Sequence, residues 1–129
     1  MNVPGDLKYT KEHEWVRVEE NTATVGITDF AQGELGDLVY IEIDTLDDEL
    51  EQHEVFGTVE AVKTTSELYM PVSGKVIAFN PEIDEDEGDN PAIINEDPYG
   101  KGWIVKVEMT NESELDDLMS AEEYEELIS

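Results

Sequence analysis

The stretch Phe56-Gly57-Thr58-Val59-Glu60-Ala61-Val62-Lys63-Thr64-Thr65-Ser66-Glu67-Leu68-Tyr69-Met70-Pro71-Val72-Ser73-Gly74-Lys75-Val76 decides how this chain is read. Val55, Gly57, Val59 and Ala61 alternate with Phe56, Thr58, Glu60 and Val62, the period of two expected of a half-buried strand. Leu68, Met70 and Val72 resume the pattern, and Ser73-Gly74 reads as a turn into a further strand over Lys75–Phe79. Lys63 falls at the bend between the first two segments. It is the only basic residue between Arg17 and Lys75, in a chain with seven Lys and Arg against thirty-four Asp and Glu. A lone amine at a tight bend on a rigid scaffold suits a covalent attachment point, with Glu60 and Glu67 flanking it. Acylation would remove its charge and leave a long, mostly apolar arm. The plain alternative is a solvated lysine at a loop tip, and spacing alone does not separate the two.

Outward from this hairpin, short strand-like segments dominate. Trp15, Val16 and Val18 predict a strand, and Thr22–Ile27 a second with Ala23, Val25 and Ile27 on one face. Thr28-Asp29-Phe30-Ala31-Gln32 predicts a short helical turn, capped by Thr28 and stopped by Gly33 and Gly36. Leu38–Ile43 reads as a strand, residues 81–102 as loop, and Trp103–Met109 as the last strand. Trp15 and Trp103 read as core. The tail changes period: Ser113, Leu115, Leu118 and Met119 have helical spacing, and Ser120 with Glu123 forms a capping box ahead of Tyr124, Leu127 and Ile128. Strands at short intervals without long helices between them predict a mainly β protein, a small sandwich or flattened barrel with a short helical turn and a C-terminal helix.

At 129 residues the chain fits a single domain, 1–129, with 39 % hydrophobic residues to build its core. It has no Cys, hence no disulfide framework and no thiol nucleophile. No run of about 18 apolar residues predicts a membrane span, and a cytoplasmic setting is expected. The formal net charge of −27 argues against nucleic acid or anionic membrane as partner, since both require basic patches. Two readings of the charge remain: a surface that docks on basic partners, or adaptation to a salty cytoplasm that screens self-repulsion. The acids are spread over the whole chain, which favours the second.

No active site assembles from the remaining residues. His13 and His53 are far apart and no ligand cluster accompanies them. With carboxylates everywhere, no acid–base dyad stands out, and Ser66 and Ser73 have no histidine base in their local sequence. The acidic run 84–87 lacks the spaced ligands of a calcium loop. The chain reads as a carrier or a binding module.

Ordered blocks then sharpen the reading: Lys8-Tyr9-Thr10-Lys11-Glu12-His13-Glu14-Trp15-Val16, Gly26-Ile27-Thr28-Asp29-Phe30-Ala31-Gln32 with Leu35-Gly36-Asp37, and Gly57-Thr58-Val59-Glu60-Ala61-Val62-Lys63. Downstream come Ser66-Glu67-Leu68, Pro71-Val72-Ser73-Gly74-Lys75-Val76, Asn80, Asn95-Glu96-Asp97-Pro98-Tyr99-Gly100 and Gly102-Trp103. From Leu7 to the C-terminal helix the chain resembles the H proteins of the glycine cleavage system. The lysine turn alone would not separate lipoyl from biotinyl carriers, but Val62 and Thr64 do not match the Met-Lys-Met usual in the latter. Departures are small: Ala61 replaces a common Ser, Thr64-Thr65 replace small residues, and Glu12 and Glu34 stand where some members have Ser and His.

The resemblance implies a lipoyl/biotinyl-carrier-like β-sandwich, with residues 24–106 as the lipoyl-binding core and 111–129 as a C-terminal helical segment. It implies lipoate in amide linkage on Lys63, attached by a lipoate-attaching enzyme. Glycine decarboxylase would load the arm with methylamine, aminomethyltransferase would unload it, and dihydrolipoyl dehydrogenase would reoxidise it. The chain itself would catalyse none of these steps. Glu14 matches the family position that contacts the cargo amine and Glu67 an acidic position near the lysine, so both are expected to anchor the loaded arm by charge-assisted hydrogen bonds. Two alternatives stay open: a lipoyl relay in lipoate metabolism, and an acidic interaction module whose lysine is never modified.

Overall fold

Alternation of β-branched and polar residues becomes, in the computed structural model, a pair of packed sheets. The structure describes residues 2–84 and 86–129; Met1, and Glu85 in the acidic run 84–87, lie outside them. The strands are β1 (Lys8–Tyr9), β2 (Glu14–Glu19), β3 (Thr22–Ile27), β4 (Leu38–Glu42), β5 (Glu49–Leu50), β6 (Val55–Ala61), β7 (Thr65–Tyr69), β8 (Gly74–Phe79) and β9 (Val105–Met109). The helices are α1 (Asp29–Leu35), α2 (Ala92–Glu96) and α3 (Ala121–Ile128), with a 3-10 turn at Glu112–Asp117. One sheet runs β1-β2-β3-β9-β8-β5 and the other β4-β6-β7. Val25, Ile41, Phe56, Val59, Val76 and Val107 lie in the aliphatic core they share, each at most 3 % exposed. Burial of each such side chain is worth about 1.5–3 kcal/mol against exposure. The protein is therefore mainly β and sandwich-like, with a C-terminal helix.

Three local expectations are corrected. Residues 81–102 are not all loop: Ala92–Glu96 is helical and buries Ile93 and Ile94. Five residues between Pro91 and Pro98 are too few to show a helical period. Gly74 is the first residue of β8 rather than part of a turn; the bend comes at Pro71 and Val72. A Cβ on Gly74 would lie 2.3 Å from the carbonyl oxygen of Glu108, so the glycine serves the close approach of β9. Gly33 lies inside α1, which ends at Gly36 with φ +80°. The two-residue strands β1 and β5 left no readable alternation.

A second, aromatic cluster sits at one end, where β1 and α3 meet. Tyr9 stacks on Tyr124 with centroids 4.8 Å apart and planes at 9°. Trp15 is fully buried and donates its indole N–H to the Pro98 carbonyl at 2.9 Å. Trp103 is only half-buried, with the Lys106 ammonium 5.1 Å from its ring centroid. Helix α3 opens on the capping box of Ser120 and Glu123, both reciprocal bonds being made.

Candidate functional site

The β6–β7 hairpin holds its tip without glycine. Glu60 pairs with Thr65, the Ala61 amide donates to the Thr64 carbonyl at 2.7 Å, and the Val62 amide donates to the Asp37 carbonyl at 3.1 Å. The backbone beneath Lys63 is thus tied both across the hairpin and to the segment after α1. Lys63 itself is exposed. Its stem runs past Gly36, where an added Cβ would lie 3.7 Å from the lysine Cε. The end of α1 is fixed in turn by Asn95 of α2. The Asn95 amide donates to the Gly36 carbonyl at 2.9 Å and to the Gln32 side chain at 3.0 Å, while its oxygen accepts from the Leu38 amide at 3.1 Å. Asn95 is a positioning residue that reasoning from spacing missed; its presence in the block 95–100 was the available signal.

Beside the hairpin lies a cavity of about 270 Å³. Ile27, Phe30, Leu35, Val59 and Leu68 make its apolar wall, and Glu12, Glu34 and Glu67 line it with carboxylates. Glu67 lies two residues into β7, about 7 Å along the strand from Thr65 at the hairpin tip. An apolar chain tethered at the hairpin could lie on that wall with a cationic end among the carboxylates. His13 also lines this cavity. Its Nδ1 is 2.9 Å from the Tyr124 hydroxyl, and burial pushes its pKa down although Glu12 and Glu34 oppose that.

Glu14 is elsewhere. It is the first residue of β2 and only 1 % exposed. One carboxylate oxygen accepts from the Thr10 hydroxyl at 2.9 Å and the other from the Tyr69 amide at 2.9 Å. Burial outweighs those two bonds and pushes its pKa up to about 8. It lines a separate cavity of about 540 Å³ with Tyr9, Gln52, His53, Tyr69 and Leu118 among its walls. The Tyr69 hydroxyl donates to Glu67 at 3.2 Å while its amide serves Glu14. The structure therefore does not bring Glu14 and Glu67 into one cavity; Tyr69 contacts both.

Fold and hairpin together define the class: a β-sandwich carrier domain that holds out a lysine at a hairpin tip beside an apolar groove. Comparison with known proteins gives the particular kind. Residues 7–129 match the family described as glycine cleavage H-protein. Glycine cleavage system H proteins of Staphylococcus haemolyticus and Staphylococcus carnosus are 58 % and 56 % identical over 128 residues, spanning 99 % of this chain and 98 % of theirs. The crystal structure of a glycine cleavage system H protein from Mycobacterium marinum superposes with a TM-score of 0.82 at 36 % identity, covering 95 % of both chains. The chain belongs to the glycine cleavage H-protein family. That family is the lipoyl carrier of the glycine cleavage system, a carrier and not a catalyst.

Proposed function

We propose that Lys63 carries lipoate in amide linkage and presents it to the other proteins of glycine cleavage. The observation that carries this is the exposed lysine on a hairpin tied by two cross-connecting hydrogen bonds, in a chain of this family. The residues present fit the group: Lys63 is exposed at the hairpin tip, and the adjacent cavity offers apolar wall for a hydrocarbon arm. Lipoate, when bound, supplies a redox-active disulfide that takes up and gives up the amine-bearing one-carbon unit. The chain's own residues do the rest. The hairpin fixes the arm's root, Ile27, Phe30 and Leu68 exclude water from its stem, and Glu67 with Glu12 and Glu34 attracts a cationic end.

Glu14 enters this reading as an inner anchor only by way of Glu12, which lines both the arm's cavity and the one that holds Glu14. Below about pH 8 its burial keeps it protonated, and a cation reaching it would displace that proton. The partners in this reading are glycine decarboxylase, aminomethyltransferase, dihydrolipoyl dehydrogenase and a lipoate-attaching enzyme. Intact mass tests the attachment: the native protein is expected to carry one lipoyl increment that Lys63→Arg abolishes, and an unmodified wild type in lipoate-replete cells would refute it. Hydrolysis of the loaded arm is expected to speed up in Glu67→Gln and Glu14→Gln; an unchanged lifetime in both would remove the anchor role.

The charge supports a second element of this reading, a cytoplasm rich in salt. At about 1 M ionic strength the Debye length is about 3 Å, short enough to silence most repulsion among the surface carboxylates. No helix among the described residues is long and apolar enough to cross a membrane.

A further inference from the structure

Val62 is the most exposed of the large hydrophobic residues, at 76 %, and it stands immediately before Lys63. It fills no gap in the fold. Its amide is held by Asp37, so its β-branched side chain projects from a fixed backbone rather than a mobile one. A threonine would serve the hairpin equally, and Thr64 and Thr65 follow directly. The unbroken exposed run 62–67 carries two charges, Lys63 and, at its far end, Glu67, on a chain with thirty-four acidic residues. Exposed carboxylates surround this island: Asp37, Glu60 and Glu67. An apolar centre within a charged rim is the anatomy of a specific protein contact.

We propose that Val62 is the specificity-determining contact through which the lipoate-attaching enzyme recognises this hairpin, and that the enzyme receives it in an apolar lip flanked by basic side chains. The inference rests on the lipoyl-lysine reading above and deepens it. A single exposed lysine is common on protein surfaces, so the amine alone does not mark this hairpin. The residue beside it is the nearest feature an enzyme can grip. In the attachment step the Lys63 Nζ forms a bond to the carbonyl carbon of lipoyl adenylate, the bond from that carbon to the phosphate oxygen breaks, and AMP leaves. The ammonium gives up two protons in becoming an amide, and no redox change occurs. The rim carboxylates pair with the enzyme's basic side chains at contact distance, and Val62 is desolvated as the lysine enters.

The test uses full-length carrier purified without lipoate, a lipoate–protein ligase, lipoate, ATP and magnesium, with initial rates read by intact mass. Val62→Thr is expected to lower kcat/KM about tenfold, chiefly through KM, because it puts a hydroxyl into an apolar contact. Val62→Asp lowers it further, Val62→Ile retains it, and Ile77→Thr on the other sheet leaves it at the wild-type value. Thermal unfolding of Val62→Thr is expected to match wild type. Equal kcat/KM for wild type and Val62→Thr, or equal losses in Val62→Thr and Ile77→Thr, would overturn the proposal. A wild-type protein that gains no lipoyl mass would overturn the carrier reading itself, and this inference with it.

Discussion

The aliphatic core between the sheets and the aromatic cluster under α3 are both buried, yet they are held by different forces. Val25, Val59, Val76 and Val107 meet other hydrocarbons and need nothing else. In the aromatic cluster each of the buried rings Tyr9, Trp15, Tyr99 and Tyr124 has a polar edge with a named partner. Tyr9 donates to the Pro4 carbonyl at 2.5 Å, Trp15 to Pro98, and Tyr99 to the Asn2 carbonyl at 2.6 Å. Tyr124 lies 2.7 Å from the Thr28 hydroxyl and 2.9 Å from His13 Nδ1. Thr28 in turn caps α1, the helix whose far end lies under Lys63. Burial of hydrocarbon is non-directional and resists pH; buried hydroxyls are directional and transmit position. The first region makes the fold stable, and the second ties both chain ends to the wall of the groove.

Four substitutions test that contrast. Phe56→Ala, at a fully buried position of the aliphatic core, is expected to cost about 3–5 kcal/mol in urea unfolding. If the transition stayed at its wild-type midpoint, the sandwich would not be the main source of stability. Tyr124→Phe keeps the ring and removes the hydroxyl shared by Thr28 and His13, at a cost of about 1–3 kcal/mol. Hydrogen exchange should then accelerate in α3 and the first turn of α1 while β8 and β9 keep their protection; uniform acceleration would mean the two regions are not separable.

Glu14 offers the third test. Its folded-state pKa of about 8 lies above its ordinary 4.5, so its contribution to stability is complete below pH 4.5 and is lost as pH rises through 8. Between those limits wild type should lose up to about 1.4 kcal/mol per pH unit relative to Glu14→Gln. His13, with its pKa pushed down, works in the opposite sense below its ordinary 6.5 and is common to both proteins. Parallel stability–pH profiles would show that Glu14 ionises in the folded state as it does in the unfolded chain. The smallest effect concerns α3, whose last turn holds no basic residue. Glu126→Lys should stabilise it by about 0.3–1 kcal/mol at low salt through the helix dipole. That gain should shrink as KCl is added, while added KCl raises the melting temperature of wild type. An equal melting temperature in dilute buffer and in concentrated KCl would contradict the salt-adapted reading.

The legible parts of this molecule were those with local causes. The strands β2, β3, β4, β6, β8 and β9 follow from alternation over five to seven residues, the α1 cap from Thr28, and the α3 capping box from Ser120 and Glu123. Helix α2 and strands β1 and β5 were illegible because five residues of helix and two of strand do not repeat their period often enough to be read. The site divides the same way. Lys63 at a bend, with strands on both sides, was readable from spacing, and the family resemblance supplied Glu14 and Glu67. Their separation by Tyr69 was not readable. Neither was the burial of Glu14, since a carboxylate among thirty-four carries no mark of its environment in the sequence.

By itself, then, the sequence determined the mainly β plan and the place of the conspicuous amine, because strand period and hairpin chemistry act between neighbours in the chain. Tertiary structure alone decided what surrounds that amine. Asn95 reaches Gly36 from fifty-nine residues away, and Tyr69 reaches Glu14 from fifty-five. It also left Val62 bare and, by burying Glu14, pushed that carboxyl's pKa up. Desolvation and cross-sheet hydrogen bonding depend on which distant segments the packed core brings together, and no local pattern encodes that.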